Sequence, residues 1–345
     1  MNISIIDEKK EWDTLVESFQ HSDSYHSYEY HVITKNKSDR PILIKYTEGD
    51  KTIALPMLLR QIPGTPYMDA TSVYGYAGPL TQNIDSDFDN NNFINKIKTL
   101  LNGLGVVSVF SRLNPFIPYQ GTVLSNLGNI SYCGKVVNID ITKDLDTQRK
   151  GYNRRLKSYI NKSRNQYISR LATSENEITA FVQLYHENMR RVNAAKDYFF
   201  DRDYFFKLLN STNFKTEVLI SEDIVTKKII AAAMFLKKNN IVQYHLSGAS
   251  KDYLHLNPIK MLIDEMRIMA TTDKYRHFNL GGGVGSSKDS LFQFKSNFSK
   301  DYKDFQLWKF IVNKPQYEKL TNLHFLQQGI SATTETTSFF PSYRY

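Results

Sequence analysis

The stretch "FNLGGGVGSSKDSLFQFKSNF", residues 278–298, joins a short apolar run to a row of glycines, a Ser/Lys cluster and an aromatic segment. Two nucleotide-binding templates can be laid on it. A Walker loop needs G-x-x-x-x-G-K-[ST]. Counting from Gly281 puts Ser286 where the second glycine belongs, and counting from Gly282 puts Ser287 there. A dinucleotide fingerprint needs G-x-G-x-x-G, and Gly281 and Gly283 are followed by Ser286. Both spacings fail. What remains is a strand that ends in glycines so that a chain or ligand can approach its backbone. A helix follows, with Leu291, Phe294 and Phe298 spaced to face the core and Phe292 and Lys295 on an adjacent face. Lys295 is expected near the mouth of the glycine strand.

Working outward, short strands alternate with amphipathic helices. "NISII" reads as a strand, and Trp12, Leu15 and Phe19 put a helix on "EKKEWDTLVESF". "RPILIKYTEGDKTIALPMLLRQI" reads as two strands around a turn. "TSVYGYAGPL" reads as a strand, "DSDFDNNNFINKIKTLLNGL", residues 85–104, as a capped helix, and "VVSVFSRLNP" as a strand. The same order returns in the second half. "KVVNIDIT" is a strand and the basic stretch 147–166 a helix, followed by helices on "ENEITAFVQLYHENMRRV" and "DRDYFFKLLN". A two-strand meander, the strand "IVQYHLSGASKD", a helix opened by Pro258 and the strand "RHFNLGGG" complete it. This internal repeat predicts an α/β fold (α+β mixed sheets): two similar domains, 1–140 and 141–345, with a ligand cleft between them.

Composition bounds the partners. The chain has 345 residues, 44 Lys and Arg against 35 Asp and Glu, and a net charge of +9. The basic residues concentrate in "RKGYNRRLKSYINKSRNQYISR", residues 149–170, which holds no acid. Such a field steers phosphates, nucleic acid or an anionic surface. The tail "TTETTSFFPSYRY" is not basic enough to be a nucleic-acid arm. The single cysteine, Cys133, makes no intramolecular disulfide and is expected to be a small buried residue. It fits a reducing, cytoplasmic location. "MNISIIDEKKEW" lacks the pattern of a signal peptide, no apolar run is long enough to span a membrane, and no Cys/His set has zinc spacing.

Several motifs, in order, resemble the FemA/FemB/FemX-like branch of the GNAT acyltransferases, whose domain is often labelled a BioF2-like acetyltransferase domain. "NLGGG" with "SLFQFKSNFS" is similar to that family's late strand and "LF.FK..F" helix. "YHENMRRVNAAKDYFF" is similar to its "Y..tM.R..A...Y.F" stretch, and "VQYHLSGAS" with "LNPIKMLIDEM" to its central strand and following helix. In the first half "YHSYEYH", "VYGYAGPL" and "FSRLNP" resemble paired elements of the family, with Asn114 where the family has His. The resemblance implies two tandem GNAT-like domains with the acyl-transfer site in the second. It implies an acyl or aminoacyl group passed to an amine of a small, phosphorylated or nucleotide-linked acceptor, such as a cell-envelope or surface-polysaccharide precursor. No tightly bound cofactor is implied. The donor is a co-substrate, acyl-CoA or aminoacyl-tRNA. "SGASKDYLHLNP" does not supply the acetyl-CoA signature [QR]-x-x-G-x-[GA], and no segment is long enough for the helical hairpin of tRNA-using relatives.

Acyl transfer to an amine requires a donor to the tetrahedral oxyanion and a route for two protons. By resemblance the oxyanion donor is a backbone N–H between Tyr244 and Gly248, with Ser247 and Gly248 small enough for close approach. His245 or Tyr244 is expected to assist proton transfer or to orient the acceptor. Lys295 is expected to hold a phosphate or the developing negative charge. Asn279, Gly281, Gly282, Gly283 and Phe294 are expected to line the substrate. Tyr152, Asn153, Arg154 and Arg155 open the basic helix and suit a phosphate. Arg191 and Tyr198 are candidates for the acceptor pocket, as are Tyr74, Tyr76 and Arg112 in the first half. The competing reading is a non-catalytic basic protein that binds nucleic acid or serves as a scaffold of degenerate GNAT domains. It would show salt-dependent binding along the basic helix and no small-molecule pocket.

Overall fold

The computed structural model describes residues 1–329 and 339–345, so the part of the tail up to residue 338 lies outside the described residues. The chain forms two compact units, Met1–Cys133 with Phe305–Tyr345, and Gly134–Asp304. The segment from Phe305 onward, expected with the second domain, is part of the first unit. Cys133 is half-buried rather than buried.

The first unit contains β1 (Asn2–Ile6), α1 (Lys9–Ser18), α2 (Tyr28–Thr34), β2 (Arg40–Glu48), β3 (Lys51–Gln61), β4 (Met68–Thr71) and β5 (Leu80–Gln82). It continues with α3 (Asn91–Gly103), β6 (Val106–Arg112) and α4 (Gln120–Leu124). β7 (Asn129–Asp140) leads out of this unit. The second unit holds α5 (Leu145–Lys150), α6 (Arg154–Ser163), β8 (Tyr167–Leu171), α7 (Glu175–Arg191), α8 (Arg202–Leu209), β9 (Lys215–Asp223) and β10 (Ile229–Lys238). Then come β11 (Ile241–Ala249), α9 (Pro258–Thr272), β12 (His277–Gly281) and α10 (Ser290–Ser296). β13 (Asp301–Ile311) returns the chain to the first unit, which α11 (Lys314–Gln328) extends.

The strand order is β1-β2-β3-β4-β6-β13 in the first unit, with β5 on β3, and β7-β12-β11-β10-β9-β8 in the second. Each unit has one parallel pair, β4 with β6 and β11 with β12, among antiparallel neighbours. The expected α/β class with mixed pairing is therefore present in both. Three expected elements differ. "TSVYGYAGPL" is not one strand. Only its ends belong to β4 and β5, because Gly75 and Gly78 take positive φ and turn the chain between them. The basic stretch is two helices, broken at Gly151, and an unforeseen edge strand, β8, follows.

The second unit's core buries Phe235, Phe278, Leu262, Met266, Phe292 and Phe298 between the sheet, α9 and α10. Each such side chain contributes about 1.5–3 kcal/mol by leaving water. Asp289 caps α10 by accepting the Phe292 N–H at 2.9 Å, which sets the phase of this short helix. Phe292 and Lys295 face inward and Leu291 is exposed, contrary to expectation, while Phe298 is buried as expected. Phe294 is half-buried and packs edge-on against Phe298.

Candidate active site

β11 and β12 pair only through Ile241–His277, Val242–Phe278 and Gln243–Asn279. Beyond that point β11 stays with β10 as far as Ala249, while β12 stays with β7 at Gly281. The two strands diverge, and from Tyr244 onward β11 has no strand on that edge among the described residues. Two irregularities help open this fork. His245 is the extra residue of a bulge between the Met234–Leu246 and Phe235–Tyr244 pairs, and the β12–β7 register shifts between Asn279 and Gly281.

Buried amides hold the crotch of the fork. Asn279 Nδ2 donates to Gln243 Oε1 at 2.8 Å, and Asn279 Oδ1 accepts the Gly281 N–H at 2.9 Å. Asn279 is only 1% exposed, and both of its amide functions are engaged within the fold. Gly281 has φ +77°, a conformation costly for any residue with a Cβ. A Cβ on Gly283 would lie 2.2 Å from the Ser287 carbonyl oxygen. Gly282 is packed similarly against the Lys135 carbonyl. The glycine row thus admits the protein's own backbone.

Lys295 lies inside this loop. Its Nζ donates to the Gly282 carbonyl at 2.6 Å and sits 6.0 Å from the centre of the Tyr244 ring. It spans the β12 side and the β11 side of the fork. Burial pushes its pKa down to about 8, opposed by the Asp289 carboxylate. The Tyr244 hydroxyl is 2.5 Å from Ser247 Oγ, and desolvation pushes its pKa up to about 12, opposed by the Ser247 hydrogen bond. Tyr244 and Ser247 keep partial solvent exposure, so the edge of the fork is accessible.

His245 Nε2 pairs with the Tyr204 hydroxyl at 2.8 Å, with α8 supplying the tyrosine. Desolvation pushes the imidazole pKa down to about 3, so it is neutral at physiological pH. Gly248 is packed against α7, where an added Cβ would meet the Leu184 carbonyl carbon at 2.4 Å. Its smallness lets α7 lie against the strand.

The remaining candidates lie elsewhere. Tyr152 is buried and donates to Asp264 Oδ1 at 2.8 Å. Asp264 also binds Arg267 and Arg164 at 2.9 and 3.0 Å, which makes this a structural network. Asn153 caps α6 by accepting the Leu156 N–H, and Arg154 is exposed. Arg155 and Lys260 approach the Tyr159 ring at 5.9 and 4.2 Å, forming a basic face beside the first turn of α9. Burial and the nearby Arg155 lower the Lys260 pKa. Arg191 contacts Asn188 at the end of α7, and Tyr198 is exposed in the next turn, its carbonyl accepting from the Tyr185 hydroxyl. Tyr74, Tyr76 and Arg112 lie in the first unit, with Arg112 5.7 Å from the Tyr74 ring and Tyr76 edge-on to Phe305.

The first unit's parallel pair has no comparable fork. After Thr71–Phe110 the Ser72 N–H reaches the Phe110 carbonyl, and the Ala77 N–H reaches the Arg112 carbonyl at 3.0 Å. Gln120 Nε2 bonds the Ala77 and Pro79 carbonyls and closes the seam. Sequence reasoning missed Gln243, Tyr204, Tyr159 and Lys260. Gln243 had a legible signal, a lone amide in an apolar strand. Tyr204 had none, since only the packing of α8 brings it to His245.

Residues 147–303, which include both prongs of the fork, match the sequence profile of the acetyltransferase (GNAT) domain. No curated protein sequence matches the chain. Among solved structures, the crystal structure of FemX superposes with a TM-score of 0.70 at 13% identity, covering 92% of this chain and 99% of that one. A conserved protein of unknown function from Bacteroides thetaiotaomicron gives 0.58 at 12% identity, covering 90% and 100%. Residues 147–303 thus carry a GNAT acetyltransferase domain, whose chemistry is acyl transfer, and the fork lies within it. The fold of the chain resembles the FemX and FemAB branch of the GNAT superfamily. Among the described residues no helix is long and apolar enough to cross a membrane, and no group of at least three His, Cys, Asp or Glu could hold a metal.

Proposed function

We propose that the chain is a FemAB-like N-acyltransferase that passes an acyl or aminoacyl group to an amine of a small phosphorylated or nucleotide-linked acceptor, a cell-envelope or polysaccharide precursor. The observation that carries the reading is the open fork with a buried ammonium against it. A carbonyl laid along the free edge of β11 meets backbone N–H donors, and the charge of Lys295 offsets the oxyanion. Tyr244 keeps its proton through neutral pH and can give it to the leaving group. A pKa near 3 makes His245 a poor base, so its part is to orient, through Tyr204. The basic face of Arg155, Tyr159 and Lys260 beside α9 suits the phosphates of either donor, acyl-CoA or aminoacyl-tRNA.

The test is a thermal-shift screen with acyl-CoA thioesters, aminoacyl-tRNA and sugar nucleotides, followed by donor-consumption assays on the ligands that stabilise. Stabilisation by a donor and an acceptor, with amide formation, supports the reading. No stabilisation by any of them, together with salt-sensitive RNA binding, overturns it.

A further inference from the structure

A buried lysine beside an acyl-donor edge is itself an amine within reach of the acyl group. We propose that Lys295 is a self-acylation site, taking the acyl group when no acceptor amine is bound. This rests on the fork as the donor site. Three observations carry it. The Lys295 Nζ stands at the fork, 2.6 Å from the Gly282 carbonyl just past β12 and 6.0 Å from the ring centre of Tyr244 on β11. The carboxylate that acts on it is Asp289, at the start of its own helix. Its free-amine form is accessible: a pKa near 8 leaves about a tenth of it neutral at pH 7, over a hundredfold more than an ordinary lysine.

The step balances without a further reagent. Neutral Nζ attacks the carbonyl carbon of the thioester or ester, the carbon–sulfur or carbon–oxygen bond breaks, and the leaving group takes one Nζ proton. The resulting amide keeps a single N–H, enough to retain the Gly282 bond, and loses the positive charge. Self-acylation therefore switches off the electrostatic part of the site while leaving its architecture in place.

The full chain is incubated with acetyl-CoA and, separately, with p-nitrophenyl acetate, an activated ester that does not depend on the natural donor. Acetyl groups are located by peptide mass spectrometry. Lys295 is expected to label before the exposed Lys227 and Lys274, at a rate that climbs between about pH 6 and pH 9 and levels off above its pKa. In Lys295→Arg the site adduct disappears while Lys227 and Lys274 label as before. Labelling of the exposed lysines with Lys295 untouched by both reagents overturns the inference. Failure of the proposed function reads out separately, as the absence of amide formation on any added acceptor. Lys295 labelled by the ester without turnover supports the self-acylation site and counts against the acceptor reading.

Discussion

Lys295 Nζ donates to the carbonyl of Gly282 at 2.6 Å, thirteen residues back along the chain, and so ties α10 to the end of β12. A buried ammonium with one carbonyl partner is costly, because desolvation works against the charged form. The sign of the pH effect follows. The folded pKa is near 8 and the unfolded value near 10.5, so the unfolded chain binds the proton more tightly between them. Wild type should gain stability relative to Lys295→Met as pH rises through that window, by at most about 3 kcal/mol. Denaturant melts of both proteins at several pH values check this. Acyl transfer should run the other way, falling as the ammonium is lost above about pH 8.

The Gln243–Asn279 amide pair fixes where the fork begins. Asn279→Leu removes a donor to Gln243 and an acceptor for the Gly281 N–H in a buried place, so a loss of about 1–3 kcal/mol is expected. A double-mutant cycle between the two positions measures the coupling, and additive effects would show that the pair does not act together.

Much of this was legible in the residues and part of it was not. The alternation in "IVQYHL" and the glycines after "FNL" marked both prongs of the fork. Their divergence was hidden, because it depends on a bulge at His245 against β10 that no residue pattern in the strand marks. The place of Lys295 beside the glycine strand was legible, but the Leu291, Phe294, Phe298 spacing wrongly put Leu291 inward, where the structure turns Phe292 in instead. The arginines of the basic stretch read as one surface field. In the fold Arg164 turns to the buried Asp264, while Arg155 stays on the Tyr159 face. Burial of a single aspartate in α9 separates them, and the basic run carries no sign of it.

That aspartate supports a second stability prediction. Asp264→Asn leaves the Arg267 guanidinium, 2% exposed, without its ionic partner and weakens the bond to Tyr152. Breaking a buried pair in this way costs about 3–5 kcal/mol. The exposed Arg154→Ala should stay within about 0.5 kcal/mol of wild type. Thermal melts of the two variants give the comparison, and equal losses would remove the structural role assigned to Asp264.

Gly248 separates a packing role from a substrate role at one position. Its missing side chain lets α7 lie against β11, with the Leu184 carbonyl carbon 2.4 Å from where a Cβ would stand. Backbone cannot yield as a flexible side chain can, so Gly248→Ala must push the helix away. Overpacking of that kind costs about 1–3 kcal/mol. The Tyr204–His245 bond joins α8 to the same strand, so displacement should also disturb His245 and lower turnover. Gly248→Ala is therefore expected to lose stability and kcat together, with KM for the donor changed less than kcat. An unchanged melting temperature with a raised donor KM would return Gly248 to the substrate.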